Sequence, residues 1–287
     1  MPISAQPQDN SAQIAYWNDR AAITWTALQE RLDAMFMPLT AKAMDAAAPA
    51  PGERVVDVGS GCGATVLELA RLVGPQGRIL GVDVSAPMAA RANERIAAAA
   101  LGNAQVLLAD ASTYSFEAAG ADLLFSRFGV MFFADPAAAF ANLRRAIRPG
   151  GRLLFATWRP MAENPWFVVP FQAAEHLLPP QPPAQPNAPG PFALADPDRV
   201  TQILGAAGWT DIRLTRHDVP VCLAGPGQII EAAEFAIRVG GLARALAEAS
   251  PDLRQRAAQS IAEALPAYDS PAGVCLTGSV WFVSARN

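Results

Sequence analysis

The chain has 287 residues, 52% apolar and 17% charged, with a formal net charge of −4. This is enough for one well-buried α/β domain with additions and short for two full domains. The negative balance and the lack of a Lys/Arg run argue against a nucleic-acid partner. Cys62, Cys222 and Cys275, with His176 and His217, show no metal-ligand spacing and suggest no disulfide framework, so neither a metal nor a disulfide is expected.

Residues 1–10 are polar and lack the basic start and apolar stretch of a signal peptide. The most apolar window, residues 121–134, is interrupted by Arg127, and no segment has the length to span a bilayer. A cytoplasmic protein is expected. Residues 12–48 read as helical, with apolar positions at Ile14, Trp17, Ala21, Trp25, Leu28 and Leu32 and a break at Pro38. Pro49, Pro51 and Gly52 mark a turn.

Residues 54–157 alternate regularly. Strands are expected at 54–58, 78–82, 104–108, 121–126 and 152–157, with helices at 64–72, 87–100 and 136–147. Strands that are apolar throughout, separated by helices, indicate a parallel sheet covered on both faces, and right-handed crossovers make it doubly wound. Residues 179–191 are proline-rich and read as a surface connector or a lid hinge. A helix at 196–207, a strand at 211–219, two or three helices in 229–265 and a final strand at 274–285, broken at Gly278, complete the chain.

The main constellation is Val55-Val56-Asp57-Val58-Gly59-Ser60-Gly61-Cys62-Gly63-Ala64. A buried strand ends in a glycine-rich turn and a helix starts at once. Glycines let backbone approach a ligand, and a helix start offers N–H groups to an electronegative one. Asp83 ends the second strand, where a carboxylate can accept ribose hydroxyls, and Asp110 ends the third, beside the space for a purine. The turn also fits the dinucleotide pattern as Gly59, Gly61 and Ala64, so NAD is the default ligand of such a turn. Three features point elsewhere: glycines at 59, 61 and 63 after Asp57, a second strand-end acid at Asp110, and a Pro149-Gly150-Gly151 turn before the fifth strand.

On these residues, the stretch from Arg54 to Trp158 resembles the core of class I S-adenosylmethionine-dependent methyltransferases. Among them it looks closest to the ubiquinone/menaquinone-biosynthesis type and its small-molecule relatives. Val55 to Gly63 matches the first motif, Gly81 to Ser85 the ribose segment and Leu108 to Ala111 the adenine segment. Asp122 to Phe128 matches the fourth-strand motif, and Leu143 to Leu154 the L-x-P-G-G motif with Ile147 for its leucine. The resemblance implies a Rossmann-like, mostly parallel sheet with an antiparallel last strand. It implies an N-terminal helical cover over residues 1–50 and a methyltransferase domain over 51–287, with cap segments around 159–195 and 226–268.

It further implies that Gly59, Ser60 and Gly61 hold the methionine end of S-adenosylmethionine, that Asp83 and Val84 take the ribose side, and that Asp110 and Ala111 flank the adenine. Met88 either packs on the adenosine or belongs to a helix core. Ser126 and Phe128 lie where the fourth strand opens into the site. Trp17, Trp25 and Tyr16 either line the cleft or bury an amphipathic helix. Trp166, Phe167, Phe171, Phe192 and Phe235 suit an apolar or aromatic acceptor, or an ordinary helical core. His176, beside the proline-rich segment, is a candidate base; His217 reads as solvent-facing; Asp135 is either near the methyl or a helix cap. The expected activity is methyl transfer to a small, apolar or aromatic metabolite, and a homodimer is left open. The alternatives are an NAD(P)-dependent oxidoreductase and a non-catalytic methyltransferase-like subunit.

Overall fold

A computed structural model of the chain describes residues 9–180, 185 and 187–287. The proline-rich expectation for 179–191 therefore falls partly outside the described residues. The N-terminal run is three helices, α1 (Ser11–Asn18), α2 (Arg20–Ala27) and α3 (Gln29–Ala47), with breaks at Asp19 and Leu28. The expected break at Pro38 is corrected, because Pro38 lies inside α3. A proline removes one helical hydrogen bond, and the buried face of Leu32, Met35, Phe36, Leu39, Ala43 and Met44 carries the helix through it.

The alternating region follows the apolar pattern closely. In order come β1 (Arg54–Val58), α4 (Ala64–Val73), β2 (Arg78–Asp83), α5 (Ala86–Ala98), β3 (Ala104–Leu108), β4 (Ala121–Arg127), α6 (Pro136–Ala146) and β5 (Ile147–Trp158). After β5 come α7 (Pro165–Ala174), α8 (Pro197–Ala206), β6 (Thr210–Ala224), α9 (Ile229–Ala236), α10 (Gly240–Ala245), α11 (Pro251–Ala264), β7 (Asp269–Ser270) and β8 (Gly273–Arg286). The sheet order is β3-β2-β1-β4-β5-β8-β6, with β7 paired to β8. The strands from β3 to β5 are parallel, and β8 runs antiparallel to both β5 and β6. Leu123, Leu124, Phe125, Leu153 and Phe155 are fully buried on central β4 and β5, as expected for strands covered on both faces. Helices α7, α9, α10 and α11 pack on one another, while α3 lies against β4, β5 and β6.

Two further expectations are corrected. Strand β8 is continuous through Gly278, which pairs with Val219. A Cβ at Gly278 would stand 2.6 Å from Val221 Cγ2 and 3.1 Å from Trp158 Cζ3, so this glycine makes room for side chains and leaves the strand intact. Cys222 and Cys275 form a disulfide between directly opposed residues of β6 and β8, with Cα atoms 3.9 Å apart. The two cysteines are 53 residues apart, and only the long β6–β8 ladder brings them together.

Candidate active site

One cavity runs along the carboxyl edge of the sheet from β3 to β5, between α1–α3 and the segments 189–191 and 239–244. The glycine turn between β1 and α4 forms its floor. Gly59 and Ser60 both donate their N–H to Val82 O, at 2.8 and 3.3 Å, and Gly63 N–H goes to Ser60 O at 3.0 Å. Gly61 N–H donates to Asp83 Oδ2 at 2.7 Å. The expected offer of free N–H groups is thus corrected at these four positions: the protein uses them to shape the turn. What the turn offers a ligand is close approach, since Gly59, Gly61 and Gly63 all have positive φ, where a side chain would be strained.

Asp83 is buried and also accepts Ser85 N–H on Oδ1 at 2.8 Å. Burial pushes its carboxyl up, against the bonds from Ser85, Gly61 and Val84 N–H. A carboxylate has about four lone-pair sites, so Asp83 can brace the turn and still accept hydroxyls from a ligand. Asp110 accepts Asn10 Nδ2 at 3.0 Å and Ser112 N–H at 2.9 Å. Asn10 Oδ1 in turn accepts Ala134 N–H at 2.9 Å, so one side chain ties the end of β3 to the loop after β4. Sequence reasoning passed over Asn10; its only signal was a polar residue just before the first helix. Val84, Ala111 and Met88 line the cavity, with the Met88 Cε methyl 3.1 Å from where a Cβ on Gly61 would lie.

Trp17, Trp25 and Tyr16 line the mouth. Trp17 meets Trp25, Tyr16 and Phe132 edge-on at centroid distances of 5.7, 5.2 and 5.2 Å. Arg244 lies 4.6 Å over the Tyr16 ring, joining α1 to α10 across the opening. The other end of the cavity is an aromatic wall. Phe128 stacks on Trp158 at 4.2 Å, Trp158 meets Trp166 at 5.0 Å, and Phe167 lies 3.8 Å from Trp166. Phe36 from α3 touches Phe128, Trp158 and Trp166. Phe128 has φ +70°, a region a bulky residue rarely occupies. Its ring is presented to Trp158 by that turn. Phe36 and Trp158 were missed as site residues, because α3 and the end of β5 read simply as core.

Several expected positions lie elsewhere. Ser126 is fully buried off the cavity, donating to Val58 O at 2.7 Å and accepting Gly129 N–H at 3.2 Å. Phe171 and Phe192 pack against the core, and Phe235 is buried under Arg31; none of the three lines the cavity. His176 is exposed after α7, away from the cavity. His217 stacks on Phe282 at 4.2 Å and also lies off the cavity, with burial lowering its pKa. Asp135 caps α6, accepting Ala138 N–H at 3.0 Å. No histidine lines the cavity among the described residues. Cys62 does, but burial pushes its thiol up to about 11, which keeps it protonated and unreactive near neutrality.

Two physical constraints beneath the turn are testable. Gly59 and Gly129 face each other backbone to backbone, and a Cβ on Gly129 would collide with Val58 O and stand 2.6 Å from Gly59 Cα. Gly129→Ala, whose φ of −74° is ordinary, should therefore destabilise by about 1–3 kcal/mol through overpacking in urea unfolding. Gly205→Ala, with nothing within 4 Å of its Cβ, should stabilise its helix by about 0.5–1 kcal/mol. Equal effects would refute the close contact.

Asp57 is fully buried; Oδ2 accepts Thr65 Oγ1 at 2.5 Å and Oδ1 has no partner among the described residues. Burial pushes its carboxyl up to about 7, with Asp83 adding to the rise and Thr65 and Arg127 opposing it. The folded state then binds more protons than the unfolded chain between roughly pH 4 and 7, so this group's contribution falls as pH rises through that window. The stability of the protein relative to an Asp57→Asn variant should decline from pH 4 to pH 7 and level off above it. A difference independent of pH would contradict the assignment.

Comparison with known proteins agrees with this geometry. The methyltransferase domain family matches residues 55–151. Nocamycin O-methyltransferase of Saccharothrix syringae is 29% identical over 192 residues, covering 64% of this chain and 69% of the relative. Aklanonic acid methyltransferase DauC of Streptomyces sp. (strain C5) is 31% identical over 152 residues, covering 52% of this chain and 68% of the relative. Among solved structures, Haemonchus contortus phosphoethanolamine N-methyltransferase 2 shares the fold at TM-score 0.58 and 17% identity, over 94% of this chain and 60% of the other. With the glycine turn, its two strand-end acids and these relatives in place, the chain belongs to the class I S-adenosylmethionine-dependent methyltransferases, and S-adenosylmethionine is its methyl donor.

Proposed function

We propose that this methyltransferase acts on a small, apolar or aromatic metabolite. The observation that carries the reading is the aromatic wall of Phe36, Phe128, Trp158, Trp166 and Phe167 at one end of the cavity. Such a wall suits a flat apolar molecule and gives a polar macromolecular side chain few partners. Two relatives are named for nocamycin and for aklanonic acid, which supports a small-molecule acceptor.

S-adenosylmethionine brings a methyl group already activated on a sulfonium. The residues present fit it: Asp110 and Ala111 would flank the adenine, Asp83 and Val84 the ribose, and Gly59, Ser60 and Gly61 the methionine portion, with Met88, Trp17 and Trp25 closing over them. In this reading α1–α3 cover the donor, and Trp166, Phe167 and the segments 189–191 and 239–241 shape the acceptor end. Ring faces near the reacting centre favour a cation. The protein's task is to hold the acceptor against the methyl in a site closed to water, and positioning of this kind can supply about 7–11 kcal/mol of a barrier. An oxidoreductase reading lacks support at the site. The single lysine, Lys42, points to Asp218 O at 3.5 Å and does not line the cavity.

The reading is tested by supplying the enzyme with methyl-labelled S-adenosylmethionine and a cell extract. Label recovered in solvent-extractable small molecules is expected. Label confined to acid-precipitated protein or RNA would overturn it.

A further inference from the structure

We infer that Arg127 selects the methyl acceptor, and that the acceptor is an aromatic or apolar carboxylic acid whose carboxylate it holds while one carboxylate oxygen takes the methyl group. The inference rests on the small-acceptor reading above and adds the acceptor's functional group.

The first ground is position. Along the sheet edge stand Asp110 two residues beyond β3, Asp83 at the end of β2, the glycine turn after β1, Arg127 at the end of β4 and Trp158 at the end of β5. Strands lie about 4.8 Å apart, so Arg127 starts one strand beyond the turn, toward the aromatic wall. Arg127 lines the cavity, and its guanidinium carbon lies 5.4 Å from the centre of the Phe36 ring, which itself touches Phe128, Trp158 and Trp166.

The second ground is its unmatched charge. Arg127 Nη1 donates to Thr40 Oγ1 at 2.6 Å, and no carboxylate of the described residues pairs with it. Asp33 and Asp57 act on it only through the field. Asp33 is engaged by Arg95 at 2.7 Å and Gln29 at 2.6 Å, and Asp57 by Thr65. A guanidinium has five donors in a planar fork matched to a carboxylate. Held beside the Phe36 ring with one donor used on Thr40, it favours an anion there.

The third ground is the lack of a histidine or a reactive thiol among the described residues that line the cavity. The acids that line it, Asp33, Asp83 and Asp110, each hold a neighbour in the protein by a hydrogen bond, and the Cys62 thiol, pushed up by burial, stays protonated. An acceptor that arrives ionised needs no base, and a carboxylic acid is ionised at neutral pH, whereas a phenol or alcohol is not. In the step, a lone pair of the carboxylate oxygen forms the O–CH3 bond, the CH3–S bond breaks, and its electron pair stays on sulfur. Sulfonium and carboxylate charges cancel, no proton is released, and the products are a methyl ester and a thioether. The neutral ester no longer has the charge that Arg127 held.

The experiment is calorimetric titration of the protein saturated with S-adenosylhomocysteine, using 2-naphthoate and 2-naphthamide as probes. The acid should bind the wild-type protein at least about tenfold more tightly than the amide. Arg127→Met should remove that preference and Arg127→Lys keep part of it, while S-adenosylhomocysteine and 5′-methylthioadenosine bind all three proteins as before. Equal binding of acid and amide, or binding of neither, overturns the inference with no variant needed. A loss of S-adenosylhomocysteine affinity in Arg127→Met with 5′-methylthioadenosine unaffected also overturns it, placing Arg127 on the methionine carboxylate. If S-adenosylhomocysteine fails to bind the wild-type protein, the methyltransferase reading itself has failed.

Discussion

The site depends on how closely the ends of β1 and β4 converge. Gly59 and Gly129 meet with no side chain between them, and each has room for none. That approach lets Ser126 reach from β4 to Val58 O on β1, and it places Phe128, in its left-handed conformation, directly over the cavity. A side chain at either glycine would push the turn away from β4 and separate the donor end of the cavity from the aromatic end. Asp83 completes the constraint from the other side. By accepting Gly61 N–H and Ser85 N–H at once, it fixes the turn and the start of α5 to one carboxylate.

The cavity that results is graded. Carboxylates held by neighbouring N–H groups occupy the β3–β2 end, while aromatic rings occupy the β4–β5 end. Arg127 stands where the two meet. Charge is thus supplied where polar groups of a nucleoside would lie and nearly withheld beyond them. The reaction class suits this arrangement, because displacement at a sulfonium asks more for orientation and dryness than for proton transfer. The lack of a histidine on the cavity wall among the described residues is consistent with the same economy.

Much of this could be read in the sequence, and the limits have physical causes. The strands from Arg54 to Trp158 and the glycine turn were legible because a buried parallel strand is apolar throughout and ends in punctuating residues. Asp83 and Asp110 followed from their place at strand ends. Phe36 and Trp158 were not legible, since an aromatic that lines a cavity and one that fills a core leave the same mark on a helix or strand. Gly129 was hidden because its role is a contact with Gly59, 70 positions away in the chain. The Cys222–Cys275 bond and the unbroken β8 depend on strand register, which no local pattern encodes. Ser126, Phe171 and His176 were displaced for a related reason: sequence gives proximity to a motif, and the direction of a side chain is decided by packing.

The most direct test of the central claim is a calorimetric comparison of S-adenosylhomocysteine and NAD binding to the wild-type protein and to Asp83→Asn. The account predicts that S-adenosylhomocysteine binds the wild-type protein and NAD does not, and that the variant loses at least about tenfold in affinity, the worth of a hydrogen bond to a charged group. Binding of NAD in place of S-adenosylhomocysteine, or an affinity for S-adenosylhomocysteine untouched by the loss of the Asp83 charge, would contradict it.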